Sequence, residues 1–379
     1  MDRTDSKPPN EAGRRRRVCF VQSYRDPAYI RGRSIRDALA GSGEVDLILA
    51  VNRSSGIRRY WETIRALLHA RRQFDPDVYI LGFRGHELAW LVRWLTRRKP
   101  LVFDALVSPY AAMAEEAKLG IPGRLAAPSW RWYEAAILHA ADALLTDTQL
   151  HSDFFQARFG IPARKIVVVP VGAVECEPMP PPQPGGPQPP PFRVLFYGSF
   201  LPLHGLDTIV DAAARVTDLP IEFDFIGGTP KQARQLRAAC AALGIQRYRH
   251  RHWVPFDELL RAEIPRADLC LGGPFGDTPQ ARRVVTGKTS QCLACGKATV
   301  VGRIDEDWGF VDKVNCLLVD QGDPGQLAGA IRWSHAHRAE LAAIGQRGQL
   351  LHARRMSTTA IAGRLLPLIR GVTRQWPGT

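Results

Sequence analysis

Two glycine-punctuated stretches in the second half of the chain bring together the residue types needed to hold a phosphate. The first runs Phe192-Arg-Val-Leu-Phe-Tyr-Gly198-Ser199-Phe200-Leu-Pro-Leu-His204-Gly205. An apolar strand enters a glycine turn, and a second glycine opens a predicted helix from Leu206 to Val216. Such a turn aims unpaired backbone N–H groups and the positive end of a helix at one point, which suits a phosphate. The second stretch, Leu271 to Val301, ends a strand in the loop Gly272-Gly273-Pro-Phe275-Gly276 and then begins another helix. Arg283 and Lys288 stand near its start, where their charges and the helix dipole would jointly form a diphosphate site. The alternative is a pair of ordinary surface cations. Gln291, one turn further on, is placed to hydrogen-bond a ribose hydroxyl.

Other spacings that resemble chemistry read as structural. Asp75-Pro-Asp77 and Asp305-Glu306-Asp307 have the spacing of a metal-binding carboxylate pair, but one precedes a predicted strand and the other follows one, as loop residues do. Cys292 and Cys295 are spaced like metal ligands, yet no second pair accompanies them, and small buried thiols fit better. His250 and His252 share one strand face without nearby carboxylates or cysteines, so a structural role is expected. No metal and no other cofactor is expected.

These residues need a frame, and the pattern of apolar runs supplies one. Strands are predicted at Arg17–Val21, Val45–Val51, Asp77–Phe83, Leu101–Asp104, Ala143–Thr146 and Lys165–Val169. They are rich in Val, Leu and Ile without strict alternation, as in parallel strands covered on both faces. Helical patterns lie between them, for example Ser34–Ala40 and Ala127–Ala141. From Glu177 to Pro191 the chain is a proline-rich connector that cannot form a helix or a central strand. The alternation then restarts, with strands at Phe192–Tyr197, Ile221–Ile226, Ala267–Leu271, Ala298–Val301 and Cys316–Val319, and helices near 206–216, 230–243, 286–296 and 324–344. The expected fold is α/β, with two doubly wound Rossmann-like domains facing a cleft. The divisions are a basic tail over 1–16, a first domain over 17–175, a linker over 176–191 and a second domain over 192–350. A C-terminal helix and tail over 351–379 is free to return to the first domain.

The 379 residues suffice for two hydrophobic cores. No signal peptide is visible near Met1, and no run approaches the roughly 20 apolar residues of a bilayer span. Seven cysteines, odd in number and scattered, suit a reducing compartment better than a disulfide framework. A cytoplasmic location is expected, either free or peripheral at the inner membrane face.

The net charge of +14 calls for an explanation, which nucleic acid, an anionic membrane surface or phosphorylated substrates would each supply. Arg14 to Arg17 read as a solvated tail. Over Ile57–Gln73, Arg58, Arg65 and Arg72 recur every seven residues among Trp61, Ile64, Leu67 and Leu68. That helix either lies on an anionic membrane surface or turns its apolar stripe to the core. Trp130, Trp132 and Tyr133 offer a similar choice between an interfacial contact and core packing. No nucleic-acid-binding motif is present.

Taken together, these motifs resemble the GT-B glycosyltransferases, specifically the large retaining group numbered family four, over nearly all of residues 17–370. Tyr197 to Gly205 is similar to the opening of that group's donor domain, and Phe225-Ile226-Gly227-Gly228 to its second strand and turn. His252-Trp253-Val254-Pro255 with Glu258-Leu259 resembles the loop framing the nucleobase. Lys288 to Val301 resembles its helix-and-turn signature. In the first half, Asp104 to Ser108, Ala141-Asp142 and Thr146-Asp147-Thr148 resemble acceptor-domain landmarks of a bacterial branch. The chain departs from the group's pattern where two glutamates stand eight positions apart, here Arg283 and Gln291, and where an Arg and a Lys follow the first donor-domain strand, here Ser199 and His204.

The resemblance implies transfer of a sugar from a nucleoside-diphosphate sugar to a hydroxyl acceptor, with retention and without a metal. Donor contacts are then expected at Gly198, Ser199, Phe200, His204 and Gly205 in the first loop, at Gly227 in the next, and at Trp253 and Val254. Gly273, Phe275, Gly276 and Gln291 complete them. Arg283 and Lys288 would stabilise the departing diphosphate, and Asp104 either faces the reacting sugar or caps a helix. The acceptor is a glycan, a lipid-linked glycan or a small molecule. Two other readings stay open: a non-catalytic GT-B subunit that binds nucleotide or sugar, and a nucleotide-sugar epimerase.

Overall fold

The computed structural model describes residues 15–115, 120–176 and 191–375. Arg14 with the tail before it, the proline-rich stretch 177–190 and the final four residues lie outside the described residues. The first half builds one sheet from β1 (Arg16–Gln22), β2 (Val45–Val51), β3 (Val78–Leu81), β4 (Leu101–Asp104), β5 (Ala143–Thr146) and β6 (Ile166–Val168), in the order β2-β1-β3-β4-β5-β6. All its pairings are parallel. β1, β3, β4 and β5 are buried on both faces, which explains their unbroken apolar runs.

The second half repeats the plan with β7 (Phe192–Gly198), β8 (Ile221–Gly227), β9 (Tyr248–Arg251), β10 (Leu269–Gly273), β11 (Thr299–Gly302) and β12 (Leu317–Val319), in the order β12-β11-β10-β7-β8-β9. Because every ladder is parallel, each sheet presents its strand carboxyl ends along a single edge. The loops that leave these edges meet across the cleft.

The edge strand β9, Tyr-Arg-His-Arg, is half exposed and carries no apolar run. The predicted helix over 324–344 is two helices, Pro324–Ala336 and Leu341–Arg355, with a turn at Arg338–Glu340. The second of these runs past residue 350. The last helix, Thr358–Gln375, crosses to the first domain, where Ile361, Leu365 and Ile369 join the core formed by Val18, Phe20 and Ile35.

One expectation is corrected here. Cys176 and Cys295 form a disulfide, with 4.9 Å between their Cα atoms. They are 119 residues apart in sequence, so only the fold brings them together. The other five cysteines are buried thiols.

Candidate functional site

Three loops of the second domain fuse into one floor because glycines let their backbones touch. Gly227 sits at φ 117°, and a Cβ there would stand 1.9 Å from the Gly198 carbonyl oxygen. Gly205, at φ 66°, leaves only 2.4 Å between such a Cβ and the backbone of Phe275. The Gly228 N–H donates to the Gly198 carbonyl at 3.2 Å, and the Gly276 N–H to that of Leu203 at 3.1 Å. Phe200 stacks on Phe196 beneath this floor, and Phe275, following the Gly273 turn, is wholly enclosed. Ser199 is exposed at the turn itself.

Lys288 reaches this floor from the first turn of the helix Gly287–Ala294. Thr286 caps the helix, accepting from the Thr289 N–H at 3.2 Å and donating to the Gly272 carbonyl at 2.7 Å. The helix start is thereby bolted to the end of β10. A methyl group on Gly198 would lie 3.5 Å from Lys288 Nζ and 3.4 Å from His204 Cε1, so the three residues converge on one point. Among the described residues no hydrogen bond or ion pair engages the Lys288 ammonium, which lies over the Phe196 ring at 5.6 Å. Burial pulls its pKa down to about 7. His204 Nδ1 accepts the Leu201 N–H at 3.3 Å, which leaves the ring proton on Nε2. Burial, then the charge of Lys288, holds the His204 pKa well below its ordinary value, so the ring is a neutral donor.

The structure separates three other expected site residues from this point. The Arg283 guanidinium pairs with Glu115 of the first domain at 2.8 Å and covers the Phe154 ring at 4.2 Å. Gln291 grips the Val174 backbone, accepting its N–H at 3.0 Å and donating to its carbonyl at 2.8 Å, so it holds the interdomain chain. Asp104 does not face the open cleft. Its carboxylate is fully enclosed and binds Arg31 at 2.8 Å, while Arg31 also donates to the carbonyls of Val169 and Pro170. A carboxylate at a strand end satisfies a buried guanidinium here, and the arginine that claims it lies 73 residues away in sequence. Val254 is buried, whereas the Trp253 indole is 72% exposed and free to stack on a planar ligand.

Three further contacts escaped the sequence reading. Glu306 accepts the N–H groups of Gln149 and Leu150, at 2.8 and 3.2 Å, so a loop carboxylate of one domain caps a helix of the other. Thr148, the N-cap of that helix, donates to the Arg283 carbonyl. His151 and Asp147 also form a buried pair at 2.7 Å. Their i, i+4 spacing was the available signal. Among the described residues no group of three or more His, Cys, Asp or Glu side chains is arranged to hold a metal ion.

Comparison with known proteins agrees with this architecture. A family model described as a glycosyl transferase 4-like domain matches residues 11–172, and one described as glycosyl transferases group 1 matches residues 191–337. No curated protein matches the chain in sequence. Among solved structures, sucrose-phosphate synthase from Thermosynechococcus elongatus superposes with a TM-score of 0.72 at 15% identity, covering 95% of this chain and 100% of that one. Anabaena HepE, solved with UDP-glucose, gives 0.67 at 14% identity over 94% and 99% of the two chains. A glycosyltransferase from Rickettsia africae gives 0.66 at 11% identity over 96% and 100%. With matching family models on both halves and the two parallel sheets in place, the chain belongs to the GT-B glycosyltransferases of the group 1 type.

Proposed function

We propose that the chain transfers a sugar from a nucleoside-diphosphate sugar to a hydroxyl acceptor, with retention and without a metal. One observation carries this reading: an enclosed ammonium without a protein counter-charge stands beside a glycine turn and a neutral imidazole donor. A buried charge needs a partner, and a diphosphate supplies one. In the HepE complex the ligand is UDP-glucose. As the sugar bond breaks, negative charge grows on the departing phosphate. The Lys288 ammonium beside the Gly198 turn, the His204 ring donor and the first-turn N–H groups of Gly287 and Lys288 would stabilise that charge. A departing phosphate on the attacked face can take the acceptor proton, so no strong protein base is needed. Calorimetry with UDP tests the site. Lys288→Ala should weaken binding by about tenfold to a hundredfold, since a charge-assisted contact is lost. Undiminished affinity removes Lys288 from the donor site.

A second reading, a nucleotide-binding subunit without turnover, is favoured by one observation. Arg283 and Gln291, at the positions where the related group has glutamates, are held by Glu115 and Val174. Incubation with a panel of nucleotide sugars separates the two, because binding without transfer or hydrolysis supports the subunit.

We also propose that an anionic membrane surface is a partner. The helix Arg58–Phe74 buries Thr63, Leu67 and Ala70 in the core, yet its outer face carries Arg58, Arg65 and Arg72 around a Trp61 that is 67% exposed. Among the described residues no helix is long and apolar enough to cross a membrane. Vesicle flotation should show retention on anionic lipid that salt weakens. Equal binding to neutral vesicles removes the electrostatic mode.

A further inference from the structure

At the cleft edge of the first sheet, three neighbouring strands each deliver an arginine immediately after an anchored residue. Arg25 follows Tyr24 beyond β1, Arg53 follows Asn52 beyond β2, and Arg84 follows Phe83 beyond β3. The anchors hold one another. Asn52 accepts the Tyr24 N–H at 3.0 Å and donates to its carbonyl at 2.7 Å. The rings of Tyr24 and Phe83 meet edge to face at 4.9 Å. Adjacent strands lie about 5 Å apart, so the three arginines rise from one short arc. All three are exposed, and among the described residues none forms an ion pair.

The acids nearby are already engaged. Glu62 accepts the N–H groups of Arg53 and Ser54, which with the Ser54 hydroxyl hold its pKa down to about 2. Glu87 pairs with Arg59 at 2.9 Å and accepts the Tyr60 hydroxyl. Asp26 accepts the Ala28 N–H at 3.0 Å. The arc also adjoins the donor side. Tyr24 touches Tyr29 at 5.5 Å between centroids, and a Cβ on Gly287, next to Lys288, would lie 3.1 Å from Ile30.

We propose that the hydroxyl acceptor carries a phosphate, read by Arg25, Arg53 and Arg84. This rests on the reading of the chain as a nucleotide-sugar transferase. Guanidinium groups suit a phosphate because their planar forks pair with its oxygens two at a time. Three exposed guanidinium groups that form no direct ion pair among the described residues also present their N–H donors at the mouth of the cleft, where such an acceptor enters.

The test titrates the full chain with inorganic phosphate, a panel of sugar phosphates, the matching neutral sugars, and neutral vesicles with or without phosphatidate. UDP binding is measured on the same samples. The expected result is arginine-dependent binding of at least one phosphorylated probe, weakened about tenfold or more by Arg25→Ala, Arg53→Ala and Arg84→Ala together. UDP affinity and the melting temperature should stay unchanged. Binding confined to phosphatidate vesicles identifies a lipid headgroup as the source, whereas binding of sugar phosphates identifies a soluble one. Lysine at the three positions should restore part of the affinity. Equal binding of neutral and phosphorylated probes, or a triple variant that binds every phosphorylated probe like the parent, overturns the proposal. Loss of UDP binding by the parent chain would instead sink the donor reading and leave the phosphate result to be judged by itself.

Discussion

An ammonium enclosed without a counter-charge favours its neutral form, and burial brings Lys288 to a pKa of about 7 when the site is empty. A bound diphosphate reverses this by favouring the charged form. The sign follows directly. Well below pH 7 the lysine is charged before and after binding and takes up no proton. Above pH 7 the empty site is mostly neutral and the filled one charged, so each nucleotide brings a proton with it. Affinity should therefore fall as pH rises through and beyond about 7, and proton uptake near pH 8 should approach one per UDP. Calorimetry in buffers of different ionisation enthalpy measures that uptake, and Lys288→Met should remove it. Uptake that persists in the variant assigns the proton to another group. Sequence showed that a cation stands at this helix start, but not that it is buried. The burial comes from loops that meet only when Gly198, Gly205 and Gly227 let backbones approach, contacts up to 71 residues apart in the chain.

At the scale of elements, most strands could be read from their composition because central parallel strands bury both faces. β9 lacked an apolar run, and its ladder to β8 is what makes it a strand. The helix Leu341–Arg355 runs through the expected division at residue 350, with Leu341, Ile344 and Leu351 buried. Asp104 shows why a strand-end carboxylate is ambiguous: the same position serves a ligand or a neighbouring helix. Here Arg31, in the helix Ile30–Gly41, claims it and carries that helix against the end of β4. Asp104→Asn would leave the Arg31 charge enclosed without its counter-charge. Removing one partner of a buried pair costs about 3–5 kcal/mol, so the variant should unfold at markedly lower denaturant. Full stability together with lost transfer would return Asp104 to the reacting sugar.

For the molecule as a whole, the contacts between the domains fall into two kinds. On one side the chain crosses and is tied down: the Cys176–Cys295 bond, the grip of Gln291 on Val174, and the Thr358–Gln375 helix docked on the first domain. On the other side the closure is polar, made by Glu306 on the Gln149 helix and by Arg283 with Glu115. A covalent tie beside a polar latch is the arrangement of a hinge. Partly exposed ion pairs contribute about 0.2–1 kcal/mol each, too little to lock a cleft but enough to bias it. Together about 1 kcal/mol shifts the ratio of closed to open forms roughly fivefold. Glu115→Gln combined with Glu306→Gln should therefore enlarge the radius of gyration measured by X-ray scattering in the absence of nucleotide. The melting temperature should barely move, because neither side chain enters a hydrophobic core. Saturating UDP should draw the variant back toward the parent dimension if the ligand contacts both domains. An unchanged radius would mean that the cleft is held by the crossing segments alone, and the latch would then have no part in admitting the donor.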